Sequence, residues 1–172
     1  NLVATNVRTT GGKDEDDITL ALYSSTSVTA PELTLAAVAA DGLGDLVVTG
    51  PSSLVQTAGN TLDVDHVNVN IDGSLTLATA VNSIETLAFG DVVINQSGSG
   101  TLTVKELAAT GGSLEINHPA GDIVIEAVQL QDNLNVTAGG DIQLGDVRAD
   151  IYYATAAEAD GNLLSASGDV VL

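Results

Sequence analysis

The sequence has no cysteine, methionine or tryptophan, and only four basic side chains among its 172 residues. Without cysteine, disulfides, thiolate-bound zinc and thiol nucleophiles are excluded. Phe89, Tyr23, Tyr152 and Tyr153 are the whole aromatic set, so any core must be built from Leu, Ile, Val and Ala. Such side chains suit a thin interior, only as wide as two facing strands. Arg8, Lys13, Lys105 and Arg148 stand against 23 carboxylates, for a net charge of −19. A surface of that sign repels phosphate, which argues against nucleic acid as a partner and against an anionic membrane surface. No apolar run is long enough to span a bilayer as a helix, so membrane insertion is not expected. The chain opens at Asn1 with neither an initiator Met nor a secretory leader, and is expected to be a processed protein or a segment of a longer or assembled one.

What the sequence does have is a repeat. Leu102-x-Val104-x-x-Leu107, Ile123-x-Ile125-x-x-Val128 and Ile142-x-Leu144-x-x-Val147 share one pattern, spaced 21 and then 19 residues apart. Between them lie the shorter Leu114-x-Ile116 and Leu134-x-Val136, 20 residues apart. Alternation of apolar and polar residues gives each unit a buried and a wet face. Gly, Asn and Asp, which turn the chain at low cost, bound every unit. Two short strands and two turns per roughly 20 residues predict one coil of an all-β solenoid, each coil stacked on the last.

Units of the longer kind also begin near residues 2, 33, 62 and 170, and Ile84 with Leu87 has the same spacing. The early intervals of 31, 29 and 40 are uneven. A single β domain over 1–172 is expected, with irregular coils over 1–90, regular coils over 91–150, and a loop and last strand over 151–172. An antiparallel jelly-roll sandwich is the alternative architecture. The segment 151–162 reads as a longer loop or a short helix.

Chemistry-bearing residues are few. Gly-Asp recurs at 44–45, 90–91, 121–122, 140–141 and 168–169, each time before a strand; Asp is expected to cap its own turn through its side chain. Asp63 and Asp65 fall on one face of an alternating strand, with His66 on the other. His118, in Asn117-His118-Pro119, reads as an exposed turn residue. Asp14, Asp16 and Asp17 pack several carboxylates into one turn, the donor type a hard cation needs, and are the candidate calcium ligands. The loop has neither EF-hand spacing nor the glycine-aspartate repeat of calcium-binding solenoids. No serine-hydrolase elbow, phosphate-binding loop or dinucleotide fingerprint is present. With so few cations for proton abstraction beside an acidic sugar, a polysaccharide lyase is disfavoured, and the expectation is a protein that is not an enzyme.

The units GGSLEIN, GDIVIEAV and NLNVTAGGDIQLGDVRAD resemble the repeats of filamentous-haemagglutinin-like secreted bacterial surface proteins, in which coils of the form G-x-L-x-L-x-A-x-G-D-I-x-L build a right-handed parallel β-helix. The resemblance covers residues 90–150. It implies secretion, a cell-surface or fibre location, and an adhesive or structural role; the similar apolar strands NLVATNV and GDVVL add the expectation of end-to-end self-association, and a surface glycan is the other expected partner. A calcium-dependent carbohydrate-binding module, or a lyase-like β-helix, is the alternative function.

Overall fold

Alternation over four to eight residues, punctuated by Gly, Asp and Asn, leaves little for the backbone to do except form short strands and turn. The computed structural model describes residues 2–4, 7–8, 17–21, 32–35, 38–39, 44–50, 53–56, 59–148, 163–166 and 170–171. Every regular element among them is a strand. The N-terminal part holds β1 (Leu2–Ala4), β2 (Val7–Arg8), β3 (Ile18–Ala21), β4 (Glu32–Leu35), β5 (Val38–Ala39), β6 (Asp45–Thr49), β7 (Ser53–Gln56) and β8 (Leu62–Asp63). The central part holds β9 (His66–Asn70), β10 (Leu75–Thr79), β11 (Ser83–Ala88), β12 (Val92–Gln96), β13 (Leu102–Ala109) and β14 (Leu114–His118). The last are β15 (Ile123–Leu130), β16 (Leu134–Ala138), β17 (Ile142–Arg148), β18 (Leu163–Ala166) and β19 (Val170–Val171).

The strands fall into two sheets, alternating strictly from β8 onwards, with β2, β5 and β8 pairing beside the main path of the first. One runs β1-β4-β7-β10-β12-β14-β16-β18 and the other β3-β6-β9-β11-β13-β15-β17-β19. Strands adjacent in a sheet are one coil apart in sequence and always parallel, as in Leu114↔Leu134 and Ile123↔Ile142. This is the expected parallel β-solenoid, with about five regular turns from β9 to β18. An antiparallel jelly roll is ruled out by the same pairings. The segment 151–162 lies outside the described residues.

Leu75, Leu77, Val92, Ile94, Leu114 and Ile116 from the first sheet face Val67, Ile84, Val104, Leu107, Ile123 and Ile125 from the second, all at most 1% exposed. At roughly 1.5–3 kcal/mol for each large aliphatic side chain removed from water, these columns hold the stack together. Between coils, the backbone ladders satisfy the N–H and C=O groups that burial would otherwise leave bare.

Three features depart from the sequence reading. First, of the uneven early intervals only that from Leu62 to Leu102 crosses from one sheet to the other, and that from Leu33 to Leu62 joins two strands of the first sheet that do not pair. Leu2 and Leu33 pair in the first sheet, whereas Leu102, Ile123 and Ile142 lie in the second. Followed within one sheet, coils differ in length instead: Leu33 pairs with Leu54, but Leu75 pairs with Val92 only 17 residues on.

Second, the chain turns a corner between Asp63 and His66 rather than running through as one strand. Asp65 accepts a hydrogen bond at Oδ1 from Asn82 Nδ2 at 2.6 Å, and His66 begins the next sheet.

Third, Ile84 and Leu87 are not both inward. From Ile84 on, β11 alternates, burying Ile84, Thr86 and Ala88 and leaving Leu87 46% exposed. β13 instead carries one extra residue, because Ile84 pairs with Val104 but Glu85 pairs with Glu106. Lys105 and Glu106 consequently both point outward and Leu107 returns to the core, a β-bulge. The bulge recurs in register through β15 and β17, with Leu107↔Val128↔Val147.

A longer coil is absorbed at β7–β8. Leu54 and Leu62 pair with Leu75 and Thr79, so eight residues on one coil lie opposite four on the next. The Gln56 carboxamide bridges the gap. Its Oε1 accepts from the Ala78 N–H at 2.6 Å, and its Nε2 donates to the Ala78 and Asn60 carbonyls at 2.9 and 2.8 Å. A side-chain amide thus stands where a peptide group would complete the ladder. Gly59, with φ of 83°, supplies the left-handed turn of the excursion.

Candidate functional site

The recurring Gly-Asp pairs act between coils. At the entry to the first sheet, the Asp91 N–H donates to Ser74 Oγ at 3.1 Å. The Ser113 N–H donates to Asp91 Oδ1 at 2.9 Å, and the Asn133 N–H to Ser113 Oγ at 3.2 Å. At the entry to the second, the Asp45 N–H donates to Asp17 Oδ1 at 3.1 Å and the Asp141 N–H to Asp122 Oδ1 at 2.8 Å. Asp therefore caps the following coil rather than its own turn. The glycine has a matching role: a Cβ at Gly112 would meet the Asp91 carboxylate, and one at Gly140 the Asp122 carboxylate.

Of the candidate calcium ligands, Asp14 and Asp16 lie outside the described residues. Asp17 is exposed and committed at one oxygen to the Asp45 N–H. Among the described residues, no three His, Asp or Glu side chains converge as a metal set would. Burial is the main cause that raises Asp45 above the ordinary carboxylate range, with Asp17 and Asp65 adding repulsion against the attraction of His66 and Lys105.

His118 is fully buried, not an exposed turn residue. As the last residue of β14 it continues the inward positions Leu114 and Ile116, just as Gln96 continues Val92 and Ile94, and Thr79 continues Leu75 and Leu77. Its Nε2 lies 2.7 Å from the Gly100 carbonyl, which can only accept, so Nε2 carries the proton. Nδ1 is buried without a partner. Gln96 Oε1 accepts from Thr79 Oγ1 at 2.7 Å, and its Nε2 donates to the Val81 carbonyl at 2.7 Å. This polar column closes one corner of the core. The signal was in the sequence: extending the period-2 phase by one more position puts all three residues inside.

Outward polar groups of the second sheet surround a groove. Register places Asn68 and Asn70 of β9 beside Glu85 and Leu87 of β11, and these beside Glu106 and Ala108 of β13. Together they line a groove of about 300 Å³. Glu106 and Ala108 also line an adjoining hollow of about 130 Å³ that continues past Ala127 and Gln129 to Asp146 and Arg148. The result is a shallow trough along the stack, floored by small and apolar side chains and edged by amides and carboxylates.

His66 stands at the trough's margin, its Nδ1 2.8 Å from Ser83 Oγ and its Nε2 3.9 Å from Glu85 Oε2. At the far end Arg148 grips Asp146 with Nε to Oδ1 at 3.2 Å and Nη2 to Oδ2 at 3.0 Å. That hydrogen-bonded fork, reinforced by charge attraction, lowers the Asp146 carboxyl and raises the guanidinium. Both groups are open to water, so the pair adds little stability. Lys105 does not share Arg148's place, since Arg148 aligns through Gln129 with Ala108.

No protein-family model, curated protein or solved structure matches this chain.

Proposed function

We propose that this chain is a non-enzymatic structural and adhesive module of an extracellular bacterial surface, associating end to end with further copies and meeting a surface glycan through its outward faces. The observation that carries this reading is the coil-on-coil ladder, in which backbone pairing and the Ser74–Asp91–Ser113–Asn133 chain of caps pass from each coil to the next. Such stacks are held by nearest-neighbour interfaces, and another like unit is added by the same contacts. The charge of −19 keeps the sides of such rods apart. Sedimentation and electron microscopy from micromolar to millimolar protein test the assembly, with filaments or growing oligomers expected. A strictly monomeric species throughout the range removes it.

The second reading, calcium-dependent carbohydrate binding, is favoured by the trough of amides and carboxylates on β9, β11 and β13. In it, Asp14, Asp16 and Asp17 hold the calcium. Melting curves in about 0.15 M salt, where non-specific charge effects are screened, decide the metal. Calcium alone should raise the midpoint, as a ligand bound only by the folded state does. Curves that coincide with calcium, magnesium and chelator remove it.

A further inference from the structure

We infer that the outward residues Glu85 and Leu87 of β11 and Phe89 just past the end of that strand, with Asn68 and Asn70 on one side and Glu106 and Ala108 on the other, form a binding site for a neutral oligosaccharide. The inference rests on the adhesive part of the function proposed above and names its surface and ligand class.

Phe89 is the only phenylalanine in the chain and is 66% exposed. It follows Ala88, the last residue of β11, and so stands just past the groove that Glu85 and Leu87 line. Its ring lies beside Gly111, where a Cβ would stand 3.6 Å from Cδ1. Leu87 and Phe89 thus expose apolar surface next to polar groups in a chain whose other apolar residues mostly fill the core.

The polar groups are available. Among the described residues, the side chains of Asn68, Asn70 and Glu106 make no hydrogen bond within the chain. Asn amides offer both donors and acceptors, and carboxylates accept in pairs. Neighbouring coils repeat these groups about 4.8 Å apart, and positions along the strand about 7 Å apart. A flat aromatic face for the C–H side of a sugar ring, flanked by planar groups for its hydroxyls, is the chemistry a pyranose requires. The concave form with few convergent polar groups is that of a small-ligand site.

Charge selects the ligand. Glu85 and Glu106 together outweigh the single charge of Lys105, which also points outward beside Glu106, so uronic acids, sialic acids, phosphate and sulfate are repelled. A protein partner would need roughly 800 Å² on this face, whereas the exposed apolar part is Leu87 and Phe89 alone.

The test is calorimetry of the whole chain with neutral hexasaccharides of β-1,4-linked glucose, mannose and xylose, with hexagalacturonate as the acidic comparator and hexalysine as a stand-in for a basic protein surface. At least one neutral sugar should bind and hexagalacturonate should not. Phe89→Ala should weaken binding tenfold or more, Asn70→Ala severalfold, and Phe89→Trp should keep it. Unchanged melting curves for the exposed-site variants verify that they fold. Absence of binding by all neutral sugars overturns the site. So does equal affinity in Phe89→Ala, or hexalysine binding lost in Glu106→Gln without any sugar binding. Adherence of wild-type and Phe89→Ala protein to cultured cells is measured alongside. Sugar binding lost in Phe89→Ala supports the site, and equal adherence of both proteins then means only that the adhesive reading stands through another surface.

Discussion

β11 and β13 are neighbours in one sheet, share an apolar-polar pattern, and use it differently. Ile84-x-x-Leu87 and Val104-x-x-Leu107 have the same spacing, yet Leu107 is buried and Leu87 is 46% exposed. One extra outward residue in β13 makes the difference. Without it, β11 alternates from Ile84 to its end, puts Thr86 where later coils have Leu107 and Val128, and turns Leu87 outward just before the exposed Phe89. From β13 on, the bulged coils continue a smooth apolar column. The unbulged coil gives up core surface and gains an exposed apolar strip. A bulge is a local choice with consequences for a whole face.

The strongest way to break this comparison is to delete residues from β13. Removing Thr103 shifts the strand by one and exchanges its faces, and the C-terminal coils should lose their cooperative melting transition. Removing Lys105 instead leaves Val104, Leu107 and Ala109 inward and moves the discontinuity from the β11–β13 boundary to β13–β15. It should retain the fold at a cost of about 1 kcal/mol, within the range of ordinary single changes. Equal damage from both deletions, read by denaturant titration, would show that Lys105 is not the extra residue.

Next in size is Ile125→Asp. Ile125 is fully buried in a bulged coil, and an unpartnered carboxylate there should cost several kcal/mol. A melting midpoint unchanged from wild type would place Ile125 on the outer face.

A smaller, opposite effect is expected at Thr86, whose hydroxyl is buried without a partner. Thr86→Val makes the β11 column resemble that of β13 and removes the orphan. It should stabilise by about 1 kcal/mol, measured by chemical denaturation, whereas destabilisation would mean that the hydroxyl has a partner.

The smallest change concerns pH. Burial raises the Asp45 carboxyl, so the folded state binds more protons than the unfolded one between the ordinary and the raised value. Stability from this group is therefore greatest below that window and falls as pH rises through it. Asp45→Asn should gain about 0.5 kcal/mol or less at neutral pH, and the gain should vanish on acidification. A gain that persists at low pH would assign it to something other than ionisation.

Much of this architecture was legible in the residues. Leu102, Ile123 and Ile142 do begin equivalent strands, and Leu114 and Leu134 do form the facing sheet. Parallel stacking followed from their near-constant spacing. Sheet membership in the first half was not legible, because an alternating strand looks the same in either sheet. Leu87 was misread because spacing alone does not reveal whether a bulge lies beneath it. His118 was misread because Pro119 and Gly121 signal a turn, while the inward phase of Leu114 and Ile116 continues one residue further. The Leu87–Phe89 strip was invisible for the same reason as Leu87, since it appears only once β11 is known to lack the bulge.

The cap ladder between coils has a direction. Ser74 accepts from Asp91, Asp91 from Ser113, and Ser113 from Asn133, so every acceptor belongs to the earlier coil and every donor to the later. A chain that emerges N-terminus first therefore presents each new turn with an oxygen already fixed in place. The molecule can assemble as a vector, each coil templating its successor, with no need to wait for distant sequence. Pulse-labelled amide exchange during refolding would reveal this as protection spreading from β10 towards β16, and protection arising first at β16 would refute it.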